Sequence, residues 1–509
     1  LRRRIRESGR GVVTGPDDPR DPDPMAGRRE EVRGELRALA INPVTDGKLR
    51  AAALIALGRV AGPEDHEVFL GILKRNTDED VLAAALLGFG LAPPVESDAS
   101  EVHAVLERMA DHASSHRVRG FALIALGLRA RHDRVLRLHL ARRCAEAKDS
   151  YEAATLGYAC GLPRDPVLLP ELLAAARDRK LGTAKLSDAD RSQVVAALAL
   201  VPSPLAAELC ADLLRSRRTG GETKRAAALA LGRMLREETL DEDRAKAAKD
   251  ALLRAFDKGN DSVLKGYAAV ALGASGEPAA VPRCIHAVDR GGDTTLKAYA
   301  ALALGLAAPQ SADNDARRIR SFLLDELEKT RDVELGSALS LALGLAGAAD
   351  ATKPLLERLR STSLPAPLRG AAAEGLGLIA PPGVEVGDAL LEALRDGPPE
   401  LVEGATLGLG LLGRRGVAAE LAKRLESTTS GITQGRLTLA LGHLGQAAAV
   451  DPLLGLLKDR TQRGVVRELA AVALGLLGGE HDVDPLFELD AFFNTYATSL
   501  VTHELLTIF

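Results

Sequence analysis

The chain has no tryptophan, and only 3% of its 509 residues are aromatic. A core must therefore come from small aliphatic side chains, and the stacking platforms that single-stranded nucleic acids use are nearly missing. Cysteine is also scarce. Cys144, Cys160, Cys210 and Cys284 show no C-x-x-C spacing and all fall in helical patterns, so they read as small buried residues rather than zinc ligands. The spacing neither requires nor forbids a disulfide, and the redox compartment stays open. No apolar run reaches the roughly 18 to 20 residues that a membrane span requires. Charge of one sign is not in excess either: the formal net charge is -4 with a pI near 6.3, which gives no general attraction to nucleic acid. Phosphate-loop and nucleophile-elbow patterns are missing. Strings such as Gly375-Leu376-Gly377 and Gly408-Leu409-Gly410 lie inside Ala/Leu helices and read as packing glycines.

The 46% of hydrophobic residues are arranged in a repeat. An alanine-rich helical stretch ending in Leu-Gly recurs about every 31 to 41 residues, clearest at Leu49 to Gly58, Lys224 to Gly232, Lys265 to Gly273, Lys297 to Gly305 and Arg467 to Gly475. The terminal glycines form a ruler: Gly58, Gly90, Gly127, Gly161, Gly232, Gly273, Gly305, Gly344, Gly377, Gly410, Gly442 and Gly475. A degenerate copy, Arg191 to Val201, fills the double gap and brings the total to about thirteen units. Before each copy lies a second amphipathic stretch, such as Glu67 to Lys74 or Pro452 to Leu457, with apolar residues at helical spacing. Each unit is expected to be a helical hairpin. A lone hairpin cannot bury its apolar stripe, so the units must stack, and stability becomes a sum of unit and nearest-neighbour terms.

A finer register appears on counting back from the glycines. Eight residues earlier stand Arg50, Arg119, Lys224, Lys265, Lys297, Arg369 and Arg467; twelve earlier stand Asp46, Asp78, Asp149, Asp261, Asp293 and Asp332. The degenerate unit carries Asp188 and Asp190 around that address. An Asp just before a helix caps its free amides, and the cation is expected to reach a carboxylate in an adjacent unit. The expected role is a stabilising ladder; contact with a ligand is the competing reading. Pro365, Pro398 and Ser430 replace the turn Asp in three consecutive units, where the ladder should be interrupted.

This register, with Val/Leu-Arg/Lys-x-x-Ala-x-x-Ala-Leu-Gly in the second helix, resembles the HEAT repeat, especially the short alanine-rich type of phycobilisome-lyase-like proteins. The resemblance covers roughly Glu30 to Gly478. It implies an all-α, right-handed, armadillo-like α-solenoid whose second helices line a concave face where partners bind. The chain divides accordingly into a leader over 1–29 rich in Arg, Pro and Asp, the repeat array over 30–478, and a segment over 479–509 whose Phe487, Phe492, Phe493, Tyr496 and Phe509 suit a cap over the last unit. The leader is expected to be mobile or peripherally pinned. Its Gly11 to Gly15 stretch is similar to a segment of bacterial HEAT-repeat proteins, some of which carry export signals.

Deoxyhypusine hydroxylases, which are helical-repeat enzymes, hold iron with several symmetric His-Glu pairs. Here only His66-Glu67 and His503-Glu504 occur, at opposite ends of the array, which argues against that enzyme and against a resident metal. In lyase-like relatives that handle bilins, a thiol role would fall to Cys160 or Cys284; burial is the competing reading of both. A local basic concentration, Arg129, Arg131, Arg134, Arg137, Arg142 and Arg143 with Arg117 and Arg119 nearby, is the one candidate for phosphate contact, against a solvated helix face. The sequence reading is a soluble, monomeric, non-catalytic scaffold for a protein partner, with no cofactor. A pigment-handling lyase-like enzyme is the second reading and nucleic-acid binding through the basic concentration the third. Since the chain begins with Leu rather than Met, its compartment, cytoplasmic or exported, is left open.

Overall fold

The computed structural model describes residues 23–94, 99–237, 239–259, 261–379, 385–412 and 416–479. It is an all-α solenoid of the HEAT/ARM-like type, in which 26 described helices pair into thirteen hairpins. Contacts divide the described residues into two compact units, one built on 29–255 and the other on 256–477.

In the first unit the hairpins are Arg29–Ile41 with Gly47–Val60, His66–Arg75 with Glu79–Leu91, Ala99–His112 with His116–Arg129, Arg134–Glu146 with Ser150–Gly161, Leu169–Asp178 with Asp188–Leu198, and Pro204–Arg215 with Gly221–Arg236. The boundary falls within the next helix, Glu242–Lys258, which Ser262–Ala274 follows in the chain. In the second unit follow Ala280–Arg290 with Thr294–Ala307, Asp313–Lys329 with Val333–Leu345, Thr352–Arg360 with Ala366–Ile379, Glu385–Asp396 with Pro399–Leu412, Val417–Ser427 with Gly431–Leu444, and Val450–Lys458 with Gly464–Gly478.

The second helices form the spine of each unit because their small residues let backbones approach. A Cβ on Gly58 would fall 2.2 Å from the Gly88 carbonyl oxygen, and one on Gly377 would fall 2.4 Å from that of Gly408. Alanine at those places is sterically excluded, which explains why glycine is kept in a helix interior at a propensity cost of about 1 kcal/mol. The first helices pack outside this spine through buried Leu and Phe, such as Phe69, Leu70 and Leu73 on His66–Arg75.

One feature departs from the all-helical pattern. The degenerate unit carries a short antiparallel strand pair, Lys180–Leu181 with Ala184–Lys185, between its helices. Gly182 turns it at φ +57°, where a Cβ would strike the Ala147 oxygen at 2.5 Å, so glycine is required there. The described end of the leader is pinned: Met25 is fully buried and Arg28 pairs with Asp451 at 2.7 Å. Of the expected C-terminal cap over 479–509, residues 480–509 lie outside the described residues. No described helix is long and apolar enough to cross a membrane.

Candidate functional site

The six turn aspartates stand where the register placed them. Each is the N-cap of a second helix: Asp46 accepts from the amide of Lys48, Asp78 from Asp80 and Val81, Asp149 from Tyr151 and Glu152, Asp261 from Val263, Asp293 from Leu296 and Asp332 from Leu335. In the degenerate unit Ser187 takes over as N-cap with Asp190 in a capping box. At Ser430, where the turn Asp is missing, the helix is still capped, because the serine hydroxyl accepts from the Thr433 amide, a task for which serine ranks with aspartate.

The cations behave differently from expectation. Arg119 does pair with Glu152 of the following hairpin, but it also donates to the Ala113 carbonyl. Arg50 donates to Ala40 O (3.2 Å), Arg369 to Leu359 O (2.9 Å) and Arg467 to Leu457 O (3.0 Å). These acceptors close the first helix of the same hairpin, so the guanidinium satisfies orphan carbonyls at the negative end of a helix dipole. Arg191 does the same to Ala176 O at 2.6 Å. Lys224, Lys265 and Lys297 are half-buried at the equivalent address. Successive turns are joined instead by hydroxyl-to-acid bonds: Ser262 Oγ donates to Asp293 Oδ2 (2.8 Å), Thr223 Oγ1 to Asp188 Oδ1 (2.7 Å) and Ser115 Oγ to Glu79 Oε2 (3.0 Å).

The cap can be tested at Asp293. The amide of Leu296 and then the hydroxyl of Ser262 hold its carboxyl below the usual 3.8. A depressed carboxyl stabilises the fold above its unfolded value, and that stability is lost as pH falls through the folded value. Asp293→Ala should therefore cost about 1 kcal/mol near neutral pH, and the difference from wild type should shrink at a strongly acid pH, as the folded-state carboxyl takes up its proton. Urea titrations at both pH values check this; a cost that persists in acid would assign the effect to packing.

The basic concentration does not assemble into one surface. Arg129 is buried, donates to Ala92 O at 2.9 Å and lies over the Phe89 ring at 4.8 Å from its centroid. Arg137 pairs with Asp165, Arg142 with Glu146, Arg143 with Asp111 and Arg117 with Asp80. Arg131 is half-buried and Arg134 exposed. Arg142 is neutralised within its own helix, while Arg117, Arg137 and Arg143 pair with acids that the sequence separates by about thirty residues and the stack brings together. Burial and then the cations Arg131, Arg129 and Arg137 push the His132 imidazole down. His66, from the first His-Glu pair, is fully buried, with Nε2 2.8 Å from Pro93 O and Nδ1 3.4 Å from Arg129; His503-Glu504 lies outside the described residues. Among the described residues no group of three His, Cys, Asp or Glu is placed to hold a metal ion.

A different address, three residues before the glycine ruler, separates the two units. In 29–255 it holds Ile55, Leu87, Ile124, Tyr158, Leu198 and Leu229, all buried. In 256–477 it holds Val270, Leu302, Leu341, Glu374, Leu407, Leu439 and Val472, each half-exposed. On Thr294–Ala307 the partly exposed residues Thr295, Tyr299, Leu302 and Leu306 follow helical spacing and form one stripe. Tyr299 meets Tyr267 of the preceding second helix edge-on, with ring centroids 5.6 Å apart, which joins the stripes of these two helices. Glu374 is the one carboxylate in this row. Burial, then the Glu403 carboxylate, push it up to about 7, while Arg436 pairs with Glu403 at 2.6 Å. The sequence reading missed this row because an apolar residue there looks the same whether a neighbour covers it or not.

No family model matches the chain, and no curated protein matches it. Solved structures with a similar chain course include the karyopherin Kap121p bound to the SUMO protease Ulp1p (12% identity, TM-score 0.39, 87% of this chain and 53% of that one) and Kap121p bound to Nup53p (11% identity, TM-score 0.37, 87% and 53%). This chain spans about half the length of those karyopherins. Human deoxyhypusine hydroxylase in complex with glycerol is similar at 21% identity and a TM-score of 0.26, over 55% of this chain and 98% of that one.

Proposed function

We propose that the protein is a non-catalytic scaffold that binds a protein partner on the second-helix face of residues 256–477. The half-exposed row from Val270 to Val472 carries this reading. Seven successive units leave an aliphatic residue, or in one case Glu374, partly uncovered at a single structural address, and an apolar row of this kind is the usual mark of a protein-binding surface. Little else competes: the register's aspartates cap helices, its arginines close helix ends or pair with an acid, and the arginine cluster is largely paired within the fold.

Affinity capture with the full chain, followed by mass spectrometry and by nuclease and absorbance controls, tests the proposal. A protein retained through nuclease treatment is expected. Retention that disappears with nuclease or falls steeply with salt, or a co-purifying chromophore, would overturn it in favour of nucleic-acid or pigment binding.

A further inference from the structure

All four cysteines are buried, but they are not equivalent. Cys144 on Arg134–Glu146 and Cys160 on Ser150–Gly161 belong to the two helices of one hairpin, and their Sγ atoms lie 3.1 Å apart. Cys210 and Cys284 sit on other hairpins with no second sulfur in hydrogen-bonding reach among the described residues. A disulfide requires sulfurs about 2.05 Å apart, so the first pair must close by about 1 Å, a distance that small rotamer and helix adjustments cover.

We propose that Cys144 and Cys160 form a reversible oxidation site, converted by a peroxide from a dithiol to an intra-hairpin disulfide. In the first step one thiolate attacks the O–O bond of the peroxide, becomes a sulfenic acid and releases one water after proton transfer. The second thiol then attacks the sulfenic sulfur, the S–S bond forms and the second water leaves. Two thiols and one peroxide thus give one disulfide and two waters, and two thiol equivalents of a reductant reverse the change. The protein sets the conditions. The hydrogen bond it shares with Cys144, then burial and the Glu171 carboxylate, push the Cys160 thiol up, so the pair stays reduced until the peroxide is abundant or the hairpin opens. Burial also favours closure over further oxidation, because the sulfenic acid is formed against a second thiol rather than against solvent. The disulfide would staple the fourth hairpin and restrain its opening.

The test is peroxide titration of the full-length native chain, followed by alkylation in denaturant and peptide mapping without reductant. Expected are loss of two of the four thiols, a linked pair of peptides carrying Cys144 and Cys160, recovery of both thiols with dithiothreitol, and slower hydrogen exchange over 134–161 in the oxidised form. Cys144→Ser and Cys160→Ser should each leave the remaining three thiols intact at the same dose. Oxidation of the half-buried Met109 serves as the internal dosimeter. Four alkylated thiols at a dose that oxidises Met109, recovery of Cys144 and Cys160 as sulfinic acids, or a link involving Cys210 or Cys284 would each overturn the proposal.

Discussion

Replacing Asp65 by Ala is expected to cost about 3 kcal/mol or more, in the range found when one partner of a buried ion pair is removed. Its side chain is fully buried and accepts from Arg33 Nε at 3.1 Å, Arg37 Nε at 2.8 Å and the Gly62 amide at 2.8 Å. The Arg33 and Arg37 side chains are themselves only 12% and 28% exposed. Removing the carboxylate leaves two largely desolvated guanidinium groups that Glu30 and Glu64, both more exposed, compensate in part. Chemical denaturation should show the loss, and hydrogen exchange should place it in the first two hairpins. A loss below about 1 kcal/mol would mean that Glu30 and Glu64 suffice and that the cluster behaves as a surface network.

The second large effect is a contrast in sign between two helix glycines. Gly58→Val should destabilise the protein by about 3 kcal/mol, because over-packing against a backbone carbonyl cannot be relieved by a rotamer change. The added Cβ would meet Gly88 O at 2.2 Å and Gly88 Cα at 2.5 Å. Gly71, on the first helix of the neighbouring hairpin, has nothing within 4 Å of its Cβ position, so Gly71→Ala should stabilise by up to about 1 kcal/mol through helix propensity alone. Thermal melts of the two variants check both signs. A stable Gly58→Val chain would show that second helices do not stack at backbone contact.

These effects bear on how much the sequence discloses. Hairpin number, helix order and the turn caps at Asp46 through Asp332 are legible, because helical spacing and N-cap chemistry are local and the repeat prints them many times over. The partners of the cations are not. Arg50, Arg119, Arg369 and Arg467 stand at one address and all reach a carbonyl at the end of the preceding helix, which Arg119 combines with Glu152 of the next hairpin; a backbone acceptor leaves no mark in the sequence. The strand pair at Lys180–Lys185 was also missed: two-residue strands have no periodicity to read, and only Gly182 hinted at a turn. The buried Asp65 cluster escaped notice because Arg33 and Arg37 lie on the first hairpin and Asp65 just before the second, and no repeat position marks them. The half-exposed row was hidden for a related reason. Exposure at Leu302 or Leu341 depends on what lies over the second helix, and residues of the same kind at Leu87 and Ile124 are buried.

The most direct test of the scaffold reading is capture of the partner by a chain carrying Leu302→Asp and Leu341→Asp, compared with wild type and with Lys224→Ala, Lys265→Ala and Lys297→Ala at the cation address. Both aspartates fall on half-exposed positions of adjacent second helices, so the fold should tolerate them with only a small fall in melting temperature. The account predicts that the double variant loses the proteins retained by wild type while the lysine variants keep them. Undiminished capture by a folded double variant, or loss confined to the lysine variants, would contradict it.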